Sequence, residues 1–186
     1  KIHSQYSICE GAVKINELAE YCKSNKIKAI GLCDSLNLCG ALEFAEKISK
    51  VGTQPIIGSQ INFKIENIIG KLPVFATTKE GYKNLTKLSS VSYLESEATT
   101  EPYSNLENLY NNSKGLVVLT GTIYDLFGKL FKLNKLDVIK NLLKKLNTIF
   151  QNNFYIEIQR HQENDEKNFE DFLISLSSEL MLPLIS

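Results

Sequence analysis

Three polar residues stand where apolar runs stop: Asp34 and Ser35 after Ala29–Cys33, and Gln60 after Pro55–Gly58. In α/β sheets the residues at the carboxyl ends of strands face the site, so a carboxylate and neutral oxygen donors there could hold a cation or orient a substrate. The only two imidazoles, His3 and His161, also fall at strand-like runs, as do Lys1 and Thr122. In a barrel all seven would converge on one rim. His3, Asp34 and His161 could together bind one zinc or manganese ion, with water completing the shell. Lys1 works against that, because a protonated ammonium cannot ligate and repels a divalent ion. The plainer reading is a hydrogen-bonded polar cluster in which Asp34 orients His3 or His161.

Other chemistry has little material. There is no GxxxxGK[ST] phosphate loop, and no serine and histidine are singled out as nucleophile and base. Cys9, Cys22, Cys33 and Cys39 form neither a CxxC pair nor zinc-finger spacing, which fits reduced thiols in a cytoplasmic protein. Lys+Arg and Asp+Glu both number 21, and Arg160 is the sole arginine, so bidentate recognition of phosphate or guanine is poorly supplied. No apolar run approaches the length of a membrane span, so no membrane partner is expected.

The elements that must position these residues follow from periodicity. Residues 28–63 read as strand, turn, helix, turn, strand, with Asn37 as N-cap, Leu38, Leu42, Ala45 and Ile48 inward, and the strands parallel. Residues 2–7 read as a first strand, and 13–24 as a helix burying Val13, Ile15, Leu18, Ala19 and Cys22. A strand over 72–77 and a helix over 79–90, with Tyr82, Leu85 and Leu88 inward, come next. A polar connection over 94–113 carries a short helix near 105–110. Then follow a strand over 115–120, helices over 124–132 and 135–148, an alternating strand over 154–161, a helix over 163–181 and a strand over 182–185. About seven strand runs, mostly separated by helices, argue a barrel-like α/β sheet in a chain of 186 residues.

Several strings carry a resemblance. C-D-S-L-N-L-C-G-A-L-E-F (33–44) with P-I-I-G-S-Q (55–60), E-G-Y-K-N-L (80–85) and Y-I-E-I-Q-R-H (155–161) resemble the N-terminal PHP (polymerase and histidinol phosphatase) domain of the bacterial DNA polymerase III alpha subunit. The family pattern there is T-D-H-G-N-L-x-G-A-x-E-F followed by K-P-I-I-G-x-E. The resemblance implies a distorted seven-stranded (β/α) barrel, here incomplete at its C-terminal end, with residues 1–186 forming one PHP domain at the start of a much longer polymerase chain. It also implies a metal cluster of His, Asp, Glu and Cys ligands. Against that pattern His3, Asp34 and His161 are retained, while Lys1, Ser35, Gln60 and Thr122 stand where ligands are usual. The expectation is therefore a structural or docking module with no catalytic residue and no cofactor of its own. Its partners would be the rest of the alpha chain and the proofreading exonuclease subunit. The sliding clamp, the DNA and the magnesium of the polymerase palm belong to other domains. The alternative is an active metal-dependent phosphoesterase or intrinsic proofreading exonuclease.

Overall fold

The computed structural model describes residues 1–96 and 101–186, so residues 97–100 of the polar connection lie outside the described residues. Ile15–Ser24 forms α1, whose Ile15, Leu18, Ala19 and Cys22 recur at helical spacing and are all buried. Ala29–Ser35 (β1), Ala41–Lys50 (α2) and Gln54–Ile65 (β2) make the expected strand–helix–strand unit. β1 and β2 are parallel, in a register that sets Asp34 beside Ser59 and Ser35 beside Gln60. The helix starts later than the sequence suggests. Its N-cap is Gly40, and Asn37 instead braces the preceding loop, donating to Tyr6 O and Ser35 O and accepting from Cys39 N–H.

β2 does not cross over again. It turns at Glu66, which has a positive φ, and returns antiparallel as Ile68–Ala76 (β3). That hairpin is the exception to the expectation of helices between most strands, which holds for the other connections of the chain. Lys79–Leu94 (α3) follows, capped by Thr78, whose hydroxyl accepts from Gly81 N–H. Ser104–Asn105 (β4) pairs with β2, and Leu106–Asn111 (α4) is the short helix of the polar connection. Leu116–Leu119 (β5), Leu126–Lys132 (α5), Leu136–Phe150 (α6), Phe154–Glu157 (β6), Glu166–Leu180 (α7) and Leu184–Ile185 (β7) complete the order.

The seven strands run β1-β2-β3-β5-β6-β7, with β4 alongside β2, in a curled half-barrel. Residues 2–7 contribute isolated bridges, Ile2 to Leu32 and Ser4 to Val13, rather than a full strand. Alternate residues face opposite sides. Val74, Val118 and Phe154 join the large core under α3 to α7. Leu32 meets Ile15, Phe44 and Ile48 of α1 and α2. Cys33, Phe75 and Leu119 instead face the inside of the curl, where an apolar trough of about 370 Å³ runs between Lys1 and Ile185. Each fully buried side chain such as Phe44 or Phe127 contributes about 1.5–3 kcal/mol. Val13, Leu42 and Tyr82, expected inward, are exposed: Val13 precedes α1 and forms a bridge with Ser4, while Leu42 and Tyr82 fall on faces of α2 and α3 turned away from the core.

Candidate functional site

Asp34, next to last in β1, is almost wholly buried and spends its carboxylate locally. It accepts from Ser4 N–H (2.6 Å), Ser4 Oγ (2.7 Å) and Ser7 Oγ (2.7 Å). These bonds stitch the N-terminal segment to the strand end. Asp34 therefore reaches His3 only through Ser7, whose Oγ lies 3.4 Å from His3 Nδ1, and it does not orient His161. His161 lies beyond β6 rather than at its tip, with Nε2 3.0 Å from Gln159 Oε1. Glu166 folds back to accept from the N–H groups of His161, Gln162 and Glu163.

Above Asp34 an open pocket of about 620 Å³ gathers Lys1, His3, Gln60, Thr122 and His161. Ser35 adjoins it by donating to Gln60 Oε1 (3.2 Å). Six of the seven residues singled out in the sequence thus meet at one rim, and Asp34 lies beneath them. Three charged residues that the sequence had not singled out, Glu10, Lys71 and Asp125, also line it, and a fourth, Glu157, lines the adjoining trough and pairs with Lys1, which lines both. Lys1 Nζ sits 3.0 Å from Glu157 Oε2, and both side chains are only 7% exposed. Lys71 Nζ, delivered by β3, donates to Glu10 Oε1 (2.5 Å) and Ser35 Oγ (3.1 Å), and Ser35 also donates to Glu10. Asp125 accepts from Thr122 N–H (2.7 Å) and Thr122 Oγ1 (3.1 Å). Glu157 was legible as an acid inside an alternating strand that would need a buried partner. Lys71 had no signal, since the hairpin that carries it was not foreseen.

The electrostatics follow from this crowding. Burial is the main cause that lowers the His3 pKa from 6.5, and Lys1 and Lys71 add to it against Glu10 and Asp34. Burial raises the Asp125 carboxyl, opposed by Lys1 and the two Thr122 donors. At Glu10 burial opposes ionisation, but bonds from Lys71 and Ser35 outweigh it and leave the pKa lowered. Cys33, inside the curl, is pushed up to about 12 by burial and is an inert thiol.

The family model of the PHP domain matches residues 1–161 of this chain. The chain belongs to the PHP family. Within that family it aligns along its whole length with the DNA polymerase III alpha subunit of Rickettsia felis, at 34% identity, and with that of Caulobacter vibrioides, at 31%. The alpha subunit of Borreliella burgdorferi is 34% identical over 98% of the chain. The chain spans about a sixth of the length of these relatives, 16% for the Rickettsia protein, and is homologous to their N-terminal region. The PHP fold is also seen in two solved structures. An amidohydrolase of Chromobacterium violaceum gives a TM-score of 0.59 at 10% identity, covering 98% of this chain and 83% of that one. A Bifidobacterium adolescentis protein described as a metal-dependent phosphoesterase gives 0.55 at 12%, covering 99% and 84%.

The donor set of this PHP domain does not fit such a metal cluster. Among the described residues no group of three or more His, Cys, Asp and Glu side chains is arranged to hold a metal ion. Glu157 and Glu10 are taken by ammonium groups, and Asp34 and Asp125 by hydroxyl and backbone donors. An incoming divalent ion would have to displace two lysines.

Proposed function

We propose that this chain is a catalytically degenerate PHP domain, one module at the N-terminal end of a replicative DNA polymerase III alpha subunit. The observation that carries the reading is that the carboxylates of the strand-end pocket are satisfied from within the chain, two of them by Lys1 and Lys71. On this reading Lys1, Ser35, Gln60 and Thr122 stand at lost ligand positions, and His3, Asp34 and His161 are remnants. The parent chain performs template-directed DNA synthesis with magnesium held by a palm domain outside residues 1–186, in the cytoplasm. The domain packs against the polymerase body and offers a docking surface to the proofreading exonuclease subunit, while clamp and DNA are engaged by other domains. Active phosphoester hydrolysis, at this site or as an intrinsic exonuclease, is the competing reading, favoured by the name of the Bifidobacterium neighbour.

Elemental analysis of protein purified without chelator separates the two. The degenerate domain carries well under one equivalent of zinc or manganese and hydrolyses no phosphate ester. The combined changes Lys1→His, Ser35→His, Gln60→Glu and Thr122→Cys remove one cation and add a carboxylate and an ionisable thiol, so that variant gains measurable zinc affinity. Stoichiometric metal in the unaltered protein, lost on His3→Ala or His161→Ala, refutes the proposal.

A further inference from the structure

The carboxylates where the pocket meets the apolar trough raise a problem of charge. Glu157 leaves β6 with its side chain 7% exposed, and Asp125 is 5% exposed nearby. Two acids at that depth require a compensating cation. In the structure it comes from the far end of the sequence. Lys1 precedes Ile2, whose N–H donates to Gly31 O at 3.0 Å and whose carbonyl accepts from Cys33 N–H at 2.8 Å, so its backbone is fixed along the free edge of β1. From there its ammonium crosses the open side of the curled sheet to Glu157 on β6.

We infer that the Lys1 ammonium is a resident cation, filling a small-cation site whose anionic wall is Glu157 and Asp125, and that emptying it creates a site for an external primary alkylammonium ion. The inference rests on the reading above that the pocket has exchanged metal ions for internal charge. Three features support a cation site over a chance surface pair. Both partners are buried to the same degree. Glu157 is held from behind, its N–H donating to Thr120 Oγ1 (2.9 Å) and its Oε1 accepting from Gln159 Nε2 (2.5 Å), so the carboxylate is fixed with or without lysine. A second lysine, Lys71, pairs with Glu10 and Ser35 elsewhere on the pocket, in a more exposed ion pair, so the pocket draws cations from the chain at two places. The recognised chemistry is one compact positive charge with N–H donors on a short alkyl stem, and the stem lies against the apolar trough of Phe75, Leu119 and Tyr155.

Lys1→Ala deletes three methylenes and the ammonium, which is the outline of propylammonium. Thermal unfolding of the full chain carrying Lys1→Ala gives a Tm lower by roughly 10 °C, the cost of leaving a buried charge without its partner. Propylammonium chloride, on the order of 50 mM, recovers about half of that loss, as expected for a ligand of the folded state alone. Equal sodium chloride with propanol does not. Lys1→Met, which fills the stem space with a neutral chain, loses stability and gains nothing from the amine. The double change Lys1→Ala with Glu157→Gln removes the unpaired anion, so it melts above Lys1→Ala and is indifferent to the amine. Should Lys1→Ala not fold alone, refolding yield is read with and without propylammonium, and equal yields overturn the inference. An unchanged Tm in Lys1→Ala, or rescue that is absent or independent of Glu157, overturns it too. Metal content of the unaltered protein is a separate measurement, so loss of the degenerate reading and loss of the resident-cation inference are told apart.

Discussion

His3 shows how a single residue changes character when its neighbours are assembled. In the sequence it is a candidate metal ligand; in the fold it is a half-buried imidazole between Lys1, Lys71, Glu10 and Asp34. Burial, the largest influence, and the two ammonium groups hold its pKa below the ordinary 6.5. The unfolded chain therefore takes up a proton at a higher pH than the folded one. Its contribution to stability is complete above about pH 6.5 and is lost as the pH falls through the lowered folded value. His3→Asn should accordingly flatten the dependence of Tm on pH on the acid side of neutrality. Parallel profiles for the two proteins would show that His3 is not the group responsible.

Among the elements, α3 is informative because local propensity and packing disagree. Gly81 lies in its first turn, in the E-G-Y-K-N-L string, and on propensity alone alanine there would be better by about 1 kcal/mol. A Cβ at Gly81 would come within 1.8 Å of Gly115 O, and Gly115 is itself held at φ +71 just before β5. Neither backbone can yield without breaking the Thr78 cap or the turn that leads into β5. We expect Gly81→Ala to destabilise by about 1–3 kcal/mol despite the better helix former, measured by urea unfolding. Neutral or improved stability would mean that α3 shifts freely on the sheet. This contact gives a packing reason for the string that the sequence offered only as a likeness.

For the whole molecule the open side of the curled sheet is the main liability. β7 is two residues long, Leu184 and Ile185 are substantially exposed, and the apolar trough opens beside them. An unpaired edge with apolar residues invites association through strands. If the chain is one module of a longer polymerase, a version carrying the residues that follow in the relatives should pair β7 and cover the trough. That version should melt higher and remain monomeric in sedimentation, while residues 1–186 alone self-associate. Equal melting and strictly monomeric behaviour for both lengths would count against the trough as a surface awaiting cover.

The sequence by itself determined the strand–helix–strand unit around Asp34, the α/β class and six of the seven strands, because these rest on local periodicity and on turn residues within a few positions of one another. Residues 2–7 form only bridges, and the two-residue β4 had no local signal. It also placed Lys1, His3, Ser35, Gln60, Thr122 and His161 toward one rim, since strand ends in such a sheet share a side. Which face of a helix is buried was less legible: Leu42 and Tyr82 are apolar at helical spacing yet exposed, because small rotations against the sheet are set by the partner surface. Only the tertiary structure decided how the pocket is charged. Lys1 and Glu157 are 156 positions apart, and Lys71 reaches Glu10 only because β3 turns back antiparallel on β2. Pairing of buried charges depends on distance in space, and no local pattern records which distant residue the closing of a sheet will bring within 3.0 Å.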